Sequence, residues 1–170
     1  MKLNVGCGTD IRNGYLNLDV VPLKGVDVVH DINKKFPFPS SHFDEVMANH
    51  VVEHVADLTK LMREFHRILK PGGRLLIETP HFTYSNAYVD PTHVHFFSFN
   101  TFKYFFKGND HNYYYDFFFS RIKTRLSFNK KYLLLYNYFM ELFANLFPRV
   151  YEQTPLRLFP AENLHVLLIK

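Results

Sequence analysis

The sequence predicts an α/β fold with a mostly parallel sheet. Five short apolar segments, rich in Leu, Val or Ile and bounded by Gly, Pro, Asp or Asn, have the pattern of buried strands. They are residues 2–5, 15–20, 26–30, 44–48 and 74–78. Between the last two, Asp57 to Leu69 carries apolar residues at helical spacing, and Lys70-Pro71-Gly72-Gly73 follows to end that helix. A strand, a helix and a second strand in this order form a βαβ unit, whose strands run parallel.

The second half of the chain has a different pattern and is rich in aromatic rings. The chain contains 19 Phe and 11 Tyr, and most of them follow Phe82. We expect a long polar and aromatic loop up to Asn100. A short helix, a strand, a longer helix and a final buried strand are predicted after it, over residues 101–106, 113–128, 130–147 and 164–169.

Length and composition indicate one globular domain over residues 1–170. The chain is 47% hydrophobic and 21% charged, which suffices for a sizeable core, and no linker or repeat divides it. Ligands of parallel α/β sheets bind at the carboxyl ends of the strands. We therefore expect residues 1–80 to form a cofactor-binding core. Residues 81–170 should supply a substrate-side loop, the aromatic helix and the closing strands.

Charge and cysteine content narrow the class of protein. The formal net charge is only +4, without a run of five basic residues, so the sequence gives little evidence for nucleic-acid binding. The single cysteine, Cys7, excludes an internal disulfide. No secretory signal pattern precedes the first strand, and the apolar stretch 132–147 is shorter than the roughly 20 residues that span a bilayer. We expect a cytoplasmic protein.

Two features at the ends of the first two strands indicate a nucleotide-like ligand. The turn Gly6-Cys7-Gly8 lets the backbone approach a ligand and directs N–H groups toward it. Asp19 ends the second strand, where a carboxylate can accept hydrogen bonds from a ribose diol. A dinucleotide motif would need a small residue at the position of Ile11 and an acid about 20 residues further on. Asp19 follows Gly8 by only eleven residues. This short interval disfavours NAD and leaves room for only a stunted first helix.

With these features the chain resembles the class I S-adenosylmethionine-dependent methyltransferases, in particular small predicted members of the methyltransferase type 11 kind. Four segments carry the resemblance: NVGCGTD, GYLNLDV, HDINKKFPFPSSHFDEVMANHVVEHVAD and LKPGGRLLIETP. It covers residues 3 to 100 well and the remainder loosely. It implies a Rossmann-like, doubly wound, mostly parallel sheet with an antiparallel C-terminal strand, and S-adenosylmethionine as cofactor.

The resemblance also assigns cofactor contacts to eight positions. They are Gly6, Cys7, Gly8, Asp19, Asp31, Ile32, Asn49 and His50. In the family the glycine turn meets the methionine part of the cofactor, and the acid at the end of the second strand holds the ribose hydroxyls. The position of Asp31 and Ile32 meets the adenine, and the segment of Asn49 and His50 closes over the cofactor.

Two residues depart from the family pattern near the methionine end. The family often has an acid where this chain has Asn4, and a third glycine where it has Asp10. Neither position corresponds to the ribose or adenine contacts. We therefore expect the same cofactor, with its methionine end held differently.

The sequence His50-Val51-Val52-Glu53-His54 also matches H-x-x-E-H, the inverted zinc-peptidase motif. There, two histidines one helical turn apart bind zinc beside a general-base glutamate. The same letters resemble the methyltransferase segment between the fourth strand and the next helix. No downstream Glu is an obvious third zinc ligand, so we expect no metal ligand. A zinc hydrolase using His50, Glu53 and His54 remains the alternative.

Three histidines lie in the loop after the fifth strand, where the methyl acceptor should arrive. A histidine there can take a proton from a hydroxyl or amine, because an unperturbed imidazole titrates close to neutral pH. The first choice for this base is His93, within Asp90-Pro91-Thr92-His93, and the second is His81. The alternative is that these residues only satisfy backbone groups or shape the pocket.

The helix predicted over residues 130–147 is unusually apolar. Asn137, Glu141 and Asn145 fall at i, i+4 and i+8 and form one narrow polar stripe, with Leu, Tyr and Phe around the rest. So wide an apolar face needs a cover. This apolar face can pack on the sheet. Alternatively, it can form a homodimer interface, contact a membrane surface or bind a lipid-linked or aromatic acceptor.

These observations predict a methyltransferase that acts on a small-molecule, sugar or lipid-linked acceptor at oxygen or nitrogen. Nucleic acid is disfavoured, because methyltransferases of base amino groups carry an Asn or Asp-Pro-Pro-aromatic motif where this chain has Asn49-His50-Val51-Val52. An NAD-binding protein, the zinc hydrolase and a catalytically silent nucleotide-binding scaffold are the alternatives.

Overall fold

A computed structural model describes residues 1–108, 112–130 and 134–170. One seven-stranded sheet has the order β3-β2-β1-β4-β5-β7-β6. The strands are β1 Lys2–Val5, β2 Leu16–Asp19, β3 Val28–Val29, β4 Phe43–Asn49, β5 Leu69–Pro80, β6 Arg121–Ser127 and β7 Asn163–Ile169. Strands β1 to β5 pair in parallel, whereas β7 runs antiparallel to both of its neighbours. The predicted fold class is confirmed, including the antiparallel C-terminal strand.

Within the described residues, four α-helices and four short 3-10 turns accompany the sheet. The helices are α1 Leu58–Ile68, α2 Asn86–Val89, α3 Leu134–Leu146 and α4 Pro148–Gln153. The turns are Val52–His54, Thr101–Phe105, Asn112–Tyr114 and Pro155–Leu158. None of the described helices is long and apolar enough to cross a membrane.

The helix predicted from Asp57 to Leu69 is confirmed as α1. It begins after Asp57, whose side chain accepts a hydrogen bond from Lys60 N at 2.9 Å, as a helix N-cap does. It buries its apolar residues against the sheet, namely Leu61, Met62, Phe65 and Ile68. The chain then enters β5 directly, so this strand is longer than the one predicted at 74–78.

The second half differs from the prediction in two elements. The strand expected over 113–128 is confined to Arg121–Ser127, because β6 pairs only with the seven residues of β7. The helix expected over 101–106 is a 3-10 turn. The prediction of a stunted helix after the glycine turn was also wrong, since residues 6–15 are described and form no helix.

The two faces of the sheet are covered differently. Alternate residues of β4, β5 and β7 are buried in the core on one face, including Val46, Ile77 and Val166. The opposite face carries a row of charged side chains across the strands, in which Lys2 and Arg74 both pair with Glu45. The three connections that precede β4 are loops without a helix. They are residues 6–15, 20–27 and 30–42, all of which are described.

Helix α3 packs along the free edge of β6 through its polar stripe. Leu126 N donates to Asn145 Oδ1 at 2.8 Å, and Asn145 Nδ2 donates to Leu126 O at 2.9 Å. Glu141 accepts a hydrogen bond from Phe128 N at 3.2 Å. These side chains satisfy backbone groups that an edge strand would otherwise leave unpaired. The stripe therefore faces inward.

The apolar side of α3 consequently faces outward. Leu135 is 89% exposed, and Phe139, Leu142 and Leu146 are each more than 60% exposed. The predicted helix is confirmed over 134–146, whereas residues 131–133 of the prediction lie outside the described residues. Packing on the sheet does not cover this outer face of α3, which we define as Leu135, Phe139, Leu142 and Leu146.

Replacing Asn145 by Ala should lower the free energy of unfolding by about 1–3 kcal/mol, because the backbone of buried Leu126 loses both of its side-chain partners. Leu142→Ala is the matched control on the same helix. Its exposed side chain should contribute within about 0.5 kcal/mol. Urea unfolding of both variants measures the difference. An unchanged midpoint for Asn145→Ala, or a larger loss for Leu142→Ala, would show that the helix is oriented the other way.

What covers the outer face of α3 remains a proposal: a second copy of the chain or a lipid surface. A Phe139→Ser, Leu142→Lys variant should fold normally, because both side chains are exposed, and should lose self-association or binding to liposomes. Light scattering and liposome flotation make the comparison. A monomeric wild type that ignores lipid would rule out both covers.

Candidate functional site

The predicted cofactor positions lie together at one edge of the sheet. The parallel strands β3, β2, β1 and β4 are neighbours in that order, so their carboxyl ends meet at the same edge. The glycine turn follows β1, Asp19 ends β2, Asp31 follows β3 and Asn49 ends β4. This edge is where parallel α/β sheets bind their ligands.

The glycine turn is shaped by close packing. Gly6 has φ +62°, and a Cβ atom on it would lie 2.4 Å from Val51 Cγ2, in the segment after β4. Only glycine therefore fits at this position. Gly8 has φ +47°, and its missing side chain points into open space, which leaves room for a ligand. Between them, Cys7 is buried and its N–H donates to Leu18 O at 3.0 Å.

Two buried amides brace the loop that follows this turn. Asn4 Nδ2 donates to Asp10 O at 2.8 Å and to Asn17 Oδ1 at 3.1 Å. The same Asn17 Oδ1 accepts from Arg12 N at 3.0 Å. These bonds fix the loop and account for Asn4, one departure from the family pattern. The side chain of Asp10, the other departure, accepts from Arg12 Nε at 2.9 Å and from Arg12 Nη2 at 2.7 Å.

Asp19 joins the glycine turn to the end of β2. Its Oδ2 accepts from Gly8 N at 2.7 Å and its Oδ1 accepts from Val21 N at 2.9 Å. A carboxylate offers about four acceptor positions, so each oxygen can accept a further hydrogen bond from a ribose hydroxyl. The side chain is held in position before any ligand arrives.

Asp31 and Ile32 follow β3 on the same edge. Asp31 Oδ1 accepts from Asn33 N at 2.9 Å and from Asn33 Nδ2 at 3.1 Å. These hydrogen bonds hold the pKa of the Asp31 carboxyl below its usual value, so it is a charged acceptor at neutral pH. Ile32 is half-buried against the core and offers an apolar surface beside it. The pair suits the polar edge and apolar face of an adenine.

His50 occupies a strained position directly after β4. Its φ is +53°, in the left-handed region that side chains other than glycine rarely adopt, and its N–H donates to Glu78 O at 2.8 Å. Its Nδ1 lies 3.4 Å from Glu53 Oε1, and its Nε2 lies 3.8 Å from Glu78 Oε1. The Glu53 carboxylate raises the pKa of His50 above its ordinary value.

A cleft of about 410 Å³ opens next to His50, and we call it the histidine cleft. Its walls come from β5, the loop after it and the start of β7, with His50, Tyr84, Asp90, His93, Glu162 and Asn163 among the lining residues. Glu162 and Asn163 were missed in the sequence analysis. The antiparallel direction of β7 brings its first residue to this edge. The predicted antiparallel C-terminal strand was therefore the signal that could have indicated these two residues.

The two histidines chosen as candidate bases lie in different environments. His93 lines the histidine cleft and is partly exposed. His81 has no exposed surface, and its ring nitrogens contact Glu152 Oε1 at 2.9 Å and Thr83 Oγ1 at 2.8 Å. His81 does not line the cleft, which corrects its prediction as a second candidate base. The reason is that β5 ends at Pro80 and the next residue, His81, turns into the core.

The H-x-x-E-H segment does not form the zinc-peptidase pair of the alternative hypothesis. The segment Val52–His54 is a 3-10 turn, and His50 precedes it in a left-handed conformation. His50 faces Glu53 and Glu78, whereas His54 Nδ1 contacts Thr92 Oγ1 at 2.8 Å. The described structure groups His54 with Glu53 and His93 instead.

The strand order and the shared edge define a class I S-adenosylmethionine-dependent methyltransferase fold. A family model described as "Methyltransferase domain" matches residues 2–116, and the chain belongs to this family. The predicted class and its cofactor, S-adenosylmethionine, are thereby confirmed.

Solved structures share the whole fold. A methyltransferase from Archaeoglobus fulgidus described as SAM-dependent has a TM-score of 0.69 at 21% identity, over 99% of this chain and 85% of that one. A SAM-dependent methyltransferase from Thermotoga maritima, described as a possible histamine N-methyltransferase, has a TM-score of 0.61 at 16% identity, over 99% and 81%.

Curated relatives match a shorter part. Ubiquinone/menaquinone biosynthesis C-methyltransferases from Vibrio campbellii and Pasteurella multocida are 32% identical over 88 residues and 33% over 99 residues. These matches cover 48% and 54% of this chain. The chain spans about a third of the length of these relatives, 32% and 35%.

Replacing Asp19 by Ala should weaken S-adenosylmethionine binding by about 30- to 150-fold, the effect of losing charge-assisted bonds worth roughly 2–3 kcal/mol. Asp31→Ala should weaken it less, because apolar contacts at Ile32 remain. Calorimetric titration with S-adenosylmethionine measures both, and NAD should not compete.

Asp44→Ala, at the opposite end of β4, is the control for a surface carboxylate. Equal affinity for wild type and a folded Asp19→Ala variant would refute the placement of the ribose. A larger effect of Asp31→Ala would reverse the ribose and adenine ends.

Proposed function

We propose that this chain transfers the methyl group of S-adenosylmethionine to a small-molecule or lipid-linked acceptor held in the histidine cleft. One observation carries the proposal: His50 lies at the end of the cofactor edge and also lines the cleft. A methyl donor bound along the edge would therefore have its reacting end beside the cleft. Methyl transfer requires this adjacency, because donor and acceptor must meet in line.

The acceptor atom is also a proposal. The sequence analysis favours oxygen or nitrogen, and the curated relatives are named as C-methyltransferases of ubiquinone and menaquinone biosynthesis. An aromatic ring that carries an acidic hydroxyl satisfies both observations. Once its proton is lost, the negative charge is shared by the oxygen and the ortho ring carbon. Either atom can then attack the methyl group, while the bond from methyl to sulfur breaks and S-adenosylhomocysteine leaves. After attack by carbon, the hydrogen of that carbon leaves as a proton and the oxygen takes up a proton, which restores the aromatic ring.

The residues of the cleft have three proposed tasks. The walls exclude water and align the acceptor, which is most of what transfer from a sulfonium requires. The carboxylate of Glu78 beside His50 favours the positively charged sulfonium over the neutral thioether product. His93 promotes loss of the acceptor proton, because it is the partly exposed histidine of the loop that lines the cleft.

The other functions considered have less support. The hydrolase needs His50 and His54 on one metal, and they face different partners. A nucleic-acid acceptor is disfavoured by the small net charge of +4. A catalytically silent scaffold would bind the cofactor without turnover. A cytoplasmic location remains an expectation from the sequence.

His93→Gln should lower kcat for methyl transfer by about 100-fold or more, since a group that assists proton loss contributes at least that much, and should leave the affinity for S-adenosylmethionine unchanged. The assay follows radiolabelled methyl from S-adenosylmethionine into a panel of phenols, hydroquinones, sugars and amines. His42→Gln, an imidazole at the opposite end of β4, is the matched control and should equal wild type.

Full turnover by His93→Gln would remove this residue from the mechanism. Tight cofactor binding without transfer to any member of the panel would favour the silent scaffold.

A further inference from the structure

Three metal-ligating side chains converge beside the histidine cleft. Glu53, His54 and His93 each place one ligand atom within 4.8 Å of the other two. They come from two separate segments, the 3-10 turn Val52–His54 and the loop after α2. Of these three residues, the function proposed above assigns a role only to His93. The grouping itself needs an explanation.

The hydrogen bonds of His93 fix which ring nitrogen carries its proton. His93 Nδ1 lies 3.0 Å from Ala87 O, and a carbonyl oxygen can only accept. Nδ1 therefore carries the proton, and Nε2 keeps its lone pair. A metal-binding histidine has this arrangement, with one nitrogen donating to a carbonyl and the other free for the ion.

A chain of hydrogen bonds fixes His54 in the same way. Thr92 Oγ1 donates its single proton to Asp90 Oδ1 at 2.7 Å. The same Asp90 Oδ1 also accepts from Thr92 N at 2.8 Å, so it is the acceptor in this pair. Thr92 Oγ1 must then accept from His54 Nδ1, 2.8 Å away. His54 Nε2 keeps its lone pair as well.

Glu53 supplies a buried carboxylate with one oxygen that accepts no hydrogen bond from the described residues. It is 1% exposed, and its Oε2 accepts from Thr79 Oγ1 at 3.0 Å. Its Oε1 is buried and has no hydrogen-bond partner among the described residues, with His50 Nδ1 at 3.4 Å. A buried carboxylate oxygen without a hydrogen bond is costly, and a cation beside it removes that cost.

Backbone hydrogen bonds hold the two segments together. Val94 N and His95 N donate to Glu53 O at 2.9 and 3.3 Å, and His95 Nε2 lies 2.8 Å from Val55 O. The loop that carries His93 is thereby attached to the turn that carries Glu53 and His54. The ligand set is preorganised, as a metal site requires.

We propose that Glu53, His54 and His93 bind a divalent transition-metal ion, such as Zn²⁺ or Mn²⁺. Two imidazole nitrogens and one carboxylate form a recurrent set for such ions, which leaves coordination positions open. The sequence predicts no metal ligand, because no third ligand is evident near the H-x-x-E-H segment. The fold supplies His93, and His50 of the alternative zinc pair is not part of the set.

The ion gives the proposed transfer its route for proton loss, and this role rests on the proposed function. An acceptor hydroxyl bound at an open position would have a lowered pKa, because the cation stabilises its oxyanion. The oxygen–hydrogen bond breaks and the proton passes to water. The oxyanion, or its ortho ring carbon, would then take the methyl group from sulfur, and a methylated ring carbon would lose its hydrogen as a proton to water while the oxygen is reprotonated. His93 acts on the acceptor proton through the ion and does not accept that proton itself.

Titrating the whole chain, freed of metal with EDTA, with ZnCl₂ and MnCl₂ in a calorimeter tests the site without any substrate. One ion per chain should bind. Removing a ligand by His93→Gln or Glu53→Gln should weaken binding by more than about tenfold. His42→Gln should bind as wild type does. CoCl₂ should give the visible absorption of a low-coordinate site in wild type and lose it in His93→Gln.

Absence of saturable binding by the folded wild type would overturn the proposal, and so would binding that His93→Gln leaves unchanged. If Glu53→Gln does not fold, the partly exposed His93 position decides alone. A parallel titration with S-adenosylmethionine separates the two proposals. Cofactor binding without metal binding refutes the metal site only, and metal binding without cofactor binding refutes the methyltransferase function.

Discussion

The hydrogen bond from Gly8 N to Asp19 Oδ2, 2.7 Å long, is the interaction on which the cofactor edge depends. Residues 6–15, all described, contain no helix between the glycine turn and β2, so helix packing cannot fix the shape of the turn. The Asp19 carboxylate attaches the turn to β2, and the missing side chain of Gly6 lets it pack against Val51 after β4. The buried amide of Asn4 holds the loop beyond it. Polar hydrogen bonds thus hold the shape of this end of the cofactor edge.

The same edge leads to the acceptor side through His50. Its left-handed backbone lets β4 end at Asn49 while the next residues turn back into the 3-10 turn that carries Glu53 and His54. Strain of this kind, of order 1–3 kcal/mol, persists where the surroundings determine it. Here Glu78 O, which accepts from His50 N, supplies part of that restraint. The backbone conformation that closes the cofactor edge therefore also positions the cluster beside the histidine cleft.

The sequence predicts the parts of this structure that local patterns encode. Buried strands, the helix with its Asp57 cap and the residues at strand ends are local, and the order of parallel strands then places Asp19 and Asp31 on one edge. The direction of the polar stripe of α3 is not local, because periodicity defines a stripe without showing whether it meets solvent or a strand edge. The burial of His81 and the approach of His93 to His54 are tertiary contacts between distant segments. No pattern within either segment shows them.

The most direct measurement of the central claim is a crystal structure of the chain with S-adenosylhomocysteine. The account predicts that the ribose hydroxyls contact Asp19, that the adenine lies beside Asp31 and Ile32, and that the sulfur points toward His50 and the histidine cleft. A cofactor bound away from the carboxyl ends of β1, β2 and β4, or a ribose without contact to Asp19, would contradict it.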